Sequence, residues 1–123
     1  MRYTLHVSNA KEVKLKGRNV YPMVSADGLK SEKMTFGVAR LAPKETMPAH
    51  KHTSEEEIIY ITKGFGKIYI ADGSAENLEP GMVIVAPLNV DHYIQNESLD
   101  IMEWCFCFHP PVKIGQHEAP KKK

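Results

Sequence analysis

The chain has 123 residues, with 16 lysine and arginine side chains against 15 aspartate and glutamate, a length that predicts one domain with a sizeable core. Three of those positive charges are Lys121, Lys122 and Lys123, which leaves 13 basic against 15 acidic side chains in the remainder; this excludes a basic face for nucleic acid. No apolar run is long enough for a membrane span, and residues 1–6 lack the apolar stretch of a secretory signal, so the expected location is cytoplasmic.

Helical periodicity is faint along the chain, while short β-rich runs bounded by Gly, Pro, Asn and Asp recur. Residues 1–33 read as an N-terminal arm of strands. Within it, residues 19–24 form an early strand that Pro22 restricts to a sheet edge or to a segment exchanged with a partner. Residues 34–41 form the next strand, ending at Ala42-Pro43, and residues 57–61 another, ending at Lys63-Gly64. Residues 67–71 run into Asp72-Gly73, a hairpin signal. Residues 82–86 follow Pro80-Gly81 and stop at Pro87; residues 92–95 and 101–108 complete the series. Strands at such regular spacing predict an all-β sandwich or barrel over residues 34–110. Beyond Pro110-Pro111 the pattern is polar and aperiodic, and residues 111–123 are expected to be a flexible tail.

Four side chains in this series suit a divalent transition metal. His50 and His52 lie two apart, so on an extended segment they point to one side. Glu57 has the opposite parity, so the chain must re-phase between them, and Thr53-Ser54 supplies a turn that can do it. His92 follows the Pro87-Leu88-Asn89 loop and opens its own strand. Imidazole suits Zn, Cu, Fe and Ni, and carboxylate suits harder ions such as Mn. Taken singly, each histidine is as ordinary as a solvated or core histidine; it is the four together that point to a metal. His6, His109 and His117 carry no such pattern, and Glu55 and Glu56 are read as solvated neighbours of Glu57.

Two further pocket candidates are Arg40 and Cys107. Arg40 shares a face with Phe36 and Val38; turned inward it would clamp a carboxylate or phosphate, and turned outward it is an ordinary snorkelling side chain. On the last strand, Glu103, Cys105 and Cys107 alternate with Met102, Trp104, Phe106 and Phe108. We expect the cysteine side to face the cavity, which would set Cys107 near the metal as a packing group; the reverse, aromatics filling the barrel, is the alternative. Cys105 and Cys107 sit too close along one strand to close a normal disulfide, so free thiols are expected. Tyr60 has the opposite parity to Glu57 and should point away.

The spacing His50-x-His52-x4-Glu57-x6-Gly64 resembles the first motif of the cupins, and Gly81-x5-Pro87-x-Asn89-x2-His92-x3-Asn96 resembles the second. The likeness, to a small single-domain cupin of the RmlC-like superfamily, covers roughly residues 34–110. Lys44 stands where the first motif opens with glycine, and Asn89 replaces a glycine of the second. Asn accepts positive φ better than other side chains, so the second turn should survive. The resemblance implies a double-stranded β-helix, or jelly-roll barrel, with His50, His52, Glu57 and His92 as ligands of one divalent ion: Fe, Mn, Zn or Ni. It further implies a small metalloenzyme acting on a compact polar metabolite, of the dioxygenase, isomerase, decarboxylase or lyase class. The alternative is a cupin that binds or senses a small ligand without turnover. It also implies a homodimer in which an N-terminal strand lies on the partner's sheet.

Overall fold

The computed structural model describes residues 2–86 and 88–114. Among them a short 3-10 turn at Val7–Asn9 precedes nine strands. These are β1 (Val13–Leu15), β2 (Arg18–Val24), β3 (Thr35–Leu41), β4 (Glu56–Lys63), β5 (Gly66–Ile70), β6 (Ala75–Leu78), β7 (Val83–Ala86), β8 (His92–Asn96) and β9 (Met102–His109). One sheet runs β1-β2-β3-β9-β4-β7 and the other β6-β5-β8. The irregular segment 46–52 lies beside β8 and extends the smaller sheet: Met47 N–H donates to Ile94 O, and His50 and His92 exchange both backbone bonds. The two sheets close on a single apolar cluster, the expected all-β jelly-roll barrel.

Strict two-residue alternation builds that core. β3 is buried at Thr35, Gly37, Ala39 and Leu41 and only half-buried between them; β9 is buried at Met102, Trp104, Phe106 and Phe108. The aromatic side of β9 therefore fills the barrel, and the cysteine side, expected inward, faces out. β9 lies mid-sheet between β3 and β4, where the inner face is wholly enclosed. Burying each large apolar side chain there gains about 2–3 kcal/mol, which Glu103, Cys105 and Cys107 could not match. Gly37 makes room for this packing: a Cβ there would meet Phe106 Cζ at 2.7 Å. Gly64, which closes the first motif, adopts φ +81, and a Cβ would lie 2.9 Å from the Met102 backbone.

The early strand lies inside the larger sheet rather than at its edge. β2 pairs with β1 on one side and β3 on the other within the chain. β1 pairs only with Arg18 to Val20, so Pro22 lies past its end, where no β1 N–H or C=O needs a partner from it, and a register shift against β3 follows between Pro22 and Val24. Residues 112–114 fall in the segment expected to be a loose tail. Instead Thr35 Oγ1 donates to Val112 O (3.1 Å) and accepts from Val112 N–H (3.0 Å), while Val112 and Ile114 pack on the core. Residues 115–123, His117 among them, lie outside the described residues.

Candidate metal centre

The cluster forms where three pieces of chain meet. Segment 46–52 is clamped to β8 by the paired bonds at His50 and His92, which sets those two side chains on the same inner face. Asn89 N–H donates to His52 O at 2.7 Å, tying the β7–β8 loop to the histidine segment. After the bend at residues 53–54, β4 opens at Glu56 and sets Glu57 on the inward row of Ile59 and Ile61. Four donor atoms, one each from His50, His52, Glu57 and His92, come within 4.8 Å of one another. All four residues are buried, His52 at 0% and His92 at 1% exposure.

Their hydrogen bonds orient them. The Nδ1 atoms of His50 and His92 lie 3.1 Å from Pro48 O and 3.0 Å from Val90 O. A carbonyl can only accept, so each Nδ1 carries the proton and each Nε2 presents a lone pair to the cluster. Burial, reinforced by the charges of His92, His52 and Arg18, lowers the His50 pKa to about 4, which keeps that imidazole neutral and able to ligate. His52 Nε2 and Glu57 Oε1 stand 2.8 Å apart. Two donors of one ion, each about 2.1 Å from it and at right angles, would sit about 3 Å apart. His92 Nε2 is buried with no hydrogen-bond partner in the structure. Such an orphan costs about 1–3 kcal/mol, and a divalent ion accepting its lone pair would remove that cost. The donor set thus fits a metal with three imidazoles and one carboxylate.

A family model described as "Cupin domain" matches residues 37–108, more than half the chain. The chain is a cupin. A probable oxalate decarboxylase from Arthroderma benhamiae is 32% identical over 102 residues, 78% of this cupin but 25% of that protein. The chain therefore spans about a quarter of the length of that curated relative. Among solved structures, a predicted oxalate decarboxylase from Thermotoga maritima superposes with TM-score 0.77 at 19% identity, covering 88% of this chain and 99% of that one. The polyketide cyclase RemF from Streptomyces resistomycificus reaches TM-score 0.77 at 18% identity, covering 95% and 89%. These two likenesses establish the fold and leave the chemistry to the site.

His50, His52 and Glu57 form one wall of a cavity of about 530 Å³, counting its open mouth, with His92 behind them. The remaining wall is largely apolar, including Val20, Met47, Trp104, Phe106 and Phe108, with Arg18 and Lys113 as its cations. Phe108 meets the His52 ring edge-on, centroids 5.0 Å apart. Neither Arg40 nor Cys107 lines this cavity. Arg40 does share the row of Phe36 and Val38, but that row is the outer face; its Nε donates to Glu103 Oε2 at 2.9 Å and its guanidinium lies over Tyr21. Cys107 sits on the same outer surface beside Phe36 and Met34, where burial pushes its thiol pKa up. Glu56 and Tyr60 are exposed as expected, but Glu55 is buried: it continues the inward row of Glu57, and Ser54 Oγ donates to it at 2.6 Å. Sequence reasoning passed over Arg18 and Lys113. The signal for Arg18 was available, since it shares parity with Val20, whereas Lys113 lay in a segment with no period to read.

Proposed function

We propose that this cupin is a metalloenzyme in which His50, His52, Glu57 and His92 hold one divalent ion (Fe, Mn, Zn or Ni) at the base of the cavity. The observation that carries the reading is the buried His92 Nε2, aimed into a cluster of neutral or acidic donors and satisfied by no protein atom. A metal held there would supply Lewis-acid polarisation of a substrate oxygen. The chain's own part is positional. Carbonyls of Pro48 and Val90 fix the imidazoles, and the aromatic wall of Trp104, Phe106 and Phe108 gives the cavity an apolar side. The cavity suits a compact polar metabolite. Among decarboxylase, lyase, isomerase and dioxygenase chemistry, the decarboxylase reading draws support from the relative that is 32% identical.

The test is metal content by plasma mass spectrometry on untagged protein, with His92→Ala and Glu57→Ala beside it, followed by carbon dioxide release from a panel of small carboxylic acids. Near-stoichiometric metal lost in both variants is the expected result. Protein that takes up no metal on reconstitution would sink the reading. A second reading, binding or sensing without turnover, is favoured by one feature: outside the proposed ligands, the described lining offers no histidine or carboxylate for proton transfer. Metal-loaded protein that binds carboxylates tightly yet releases no product would establish that alternative.

We infer further that the protein is a homodimer joined through the outer face of the larger sheet. Ile58 pairs with Val85 and Tyr60 with Val83 across β4 and β7, and all four are exposed apolar or aromatic side chains at a sheet edge. Sedimentation equilibrium should give twice the chain mass, falling to one chain mass in Val83→Glu/Val85→Glu; a wild-type monomer at micromolar concentration overturns this.

A further inference from the structure

Past its last strand the chain turns back along the metal cavity. Pro110 and Pro111 have no N–H to donate to a ladder, so the sheet stops at His109, and residues 111–114 belong to no strand. Val112 and Ile114 are half-buried against the core, with the exposed Lys113 between them. We propose that residues 112–114 are a movable side wall of the metal cavity, and that Thr35 is the positioning residue that latches this wall and so controls access to the site. The purpose of the latch rests on the metal-binding reading above; its geometry does not.

Thr35 opens the inward row of β3, which continues through Gly37, Ala39 and Leu41, and it is the one polar side chain of that row. At 1% exposure it has no water to turn to. It donates to Val112 O and accepts from Val112 N–H, at 3.1 and 3.0 Å, so a single hydroxyl satisfies both backbone groups of a residue outside the sheet. Its cross-strand partner is Phe108, and Phe108 meets the His52 ring edge-on. The latch is therefore two steps from a proposed metal ligand.

The wall is also a partition. Val112, Lys113 and Ile114 line the metal cavity, and the same three residues line an outer groove together with Val13, Asp27 and Met34. Displacing the segment would join the cavity to that groove and widen the way in. The segment is attached through Val112, Ile114 and the Thr35 hydroxyl, whereas β9, just before it, is bonded on both sides by β3 and β4. A stretch held in this way opens at a lower free energy than the strands beside it.

Trp104, the chain's one tryptophan, lines the cavity at 2% exposure and reports on the wall directly. The experiment is acrylamide quenching of its fluorescence in full-length protein, with metal content and urea midpoint measured on each sample. Thr35→Val keeps the side-chain shape and removes both hydrogen bonds, which should raise the open population, and with it the quenching constant, about tenfold. Thr35→Ser keeps the hydroxyl and should restore most of the wild-type protection. Ile114→Ala trims the wall without touching the latch and should raise quenching about two- to threefold. Ile70→Ala removes core packing at the end of β5, away from the wall, and should leave quenching at the wild-type value. A quenching constant unaltered in folded Thr35→Val and Ile114→Ala overturns the latch. So does one that rises equally in Ile70→Ala, because general loosening would then account for it. None of these readings needs a bound ion, so the two ideas fail separately. A wild type that takes up no metal, with Thr35-dependent quenching intact, removes the metal centre and retains the latched wall.

Discussion

Strand β8 carries two buried polar side chains four residues apart, and their surroundings are opposite. At one end Asn96, 0% exposed, saturates itself: Nδ2 lies 3.0 Å from the carbonyls of Leu41 and Ala42 and 2.9 Å from that of Asp100, while Oδ1 accepts from the Ser98 N–H and hydroxyl. At the other end His92, 1% exposed, has Nδ1 against Val90 O and Nε2 bonded to nothing. Ile94, wholly buried, separates them. Both satisfy the same sequence rule, an inward polar residue on an alternating strand. The network at Asn96 closes on protein atoms, whereas His92 Nε2 keeps a lone pair that a partner from outside the chain can take.

The largest effect should come from breaking the closed end. Asn96→Ala takes the Nδ2 donor from three carbonyls, of which Ala42 O keeps the Glu45 N–H and Asp100 O keeps the Ser98 hydroxyl, and it leaves the buried Ser98 N–H without its acceptor; losing this buried network should cost about 3–5 kcal/mol in urea unfolding. The metal stoichiometry of the folded fraction should be unchanged. If the variant instead retained wild-type stability and lost metal, the division between the two ends would be wrong.

Acid should act on the open end. With its pKa lowered to about 4, against about 6.5 when unfolded, His50 takes up a proton more readily in the unfolded chain. Its neutral form therefore contributes stability that is fully present above about pH 6.5 and is lost as pH falls through about 4, some 3 kcal/mol in all. Urea midpoints of metal-free protein between pH 7 and 4 would check this. His50→Phe should flatten that part of the profile, and an unchanged slope in the variant would assign the acid lability to other groups.

Removing the orphan should cost the least of the core changes. His92→Phe deletes an unpaired buried nitrogen and adds ring surface, so metal-free stability should shift by less than about 1.5 kcal/mol while metal affinity falls at least a hundredfold. A loss like that of Asn96→Ala would show that His92 is structural after all.

How much of this was legible beforehand follows from which features are local. The convergence of His50, His52, Glu57 and His92 was readable because its spacing is local: one turn re-phases His52 to Glu57, and one loop delivers His92. The barrel was readable because alternation is local too. Which side of β9 faces inward was not, since alternation gives two faces and only the neighbours β3 and β4 decide between them. The same ambiguity exchanged Arg40 for Arg18, two arginines on paired strands with opposite parity. Glu55 was misread because a run of three glutamates looks like a solvated cluster, although parity with Glu57 already placed it inward. Strand β6, Ala75–Leu78, is almost wholly exposed and owes its strand state to the hairpin with β5 rather than to its own composition.

The smallest expected effect probes the two turns that flank the two ends. Lys44 and Asn89 stand at motif positions where glycine is usual, and both adopt left-handed backbone, at φ 65 and φ 59. Lys44 precedes Glu45, whose carbonyl accepts from Asn96 N–H at the closed end; Asn89 binds His52 O at the open end. A lysine in this conformation carries strain of about 1 kcal/mol, and Asn carries less because its short side chain tolerates the region. Glycine relieves that strain but gains freedom in the unfolded chain, and Lys44 would also lose its Nζ contact to Glu97 O at 2.8 Å. Lys44→Gly should therefore raise stability by less than about 1 kcal/mol, and Asn89→Gly should change it by less than about 0.5 kcal/mol. If Lys44→Gly instead destabilised by more than 1 kcal/mol, the exposed Lys44–Glu97 contact would outweigh backbone strain, and the closed end would owe part of its rigidity to a surface hydrogen bond.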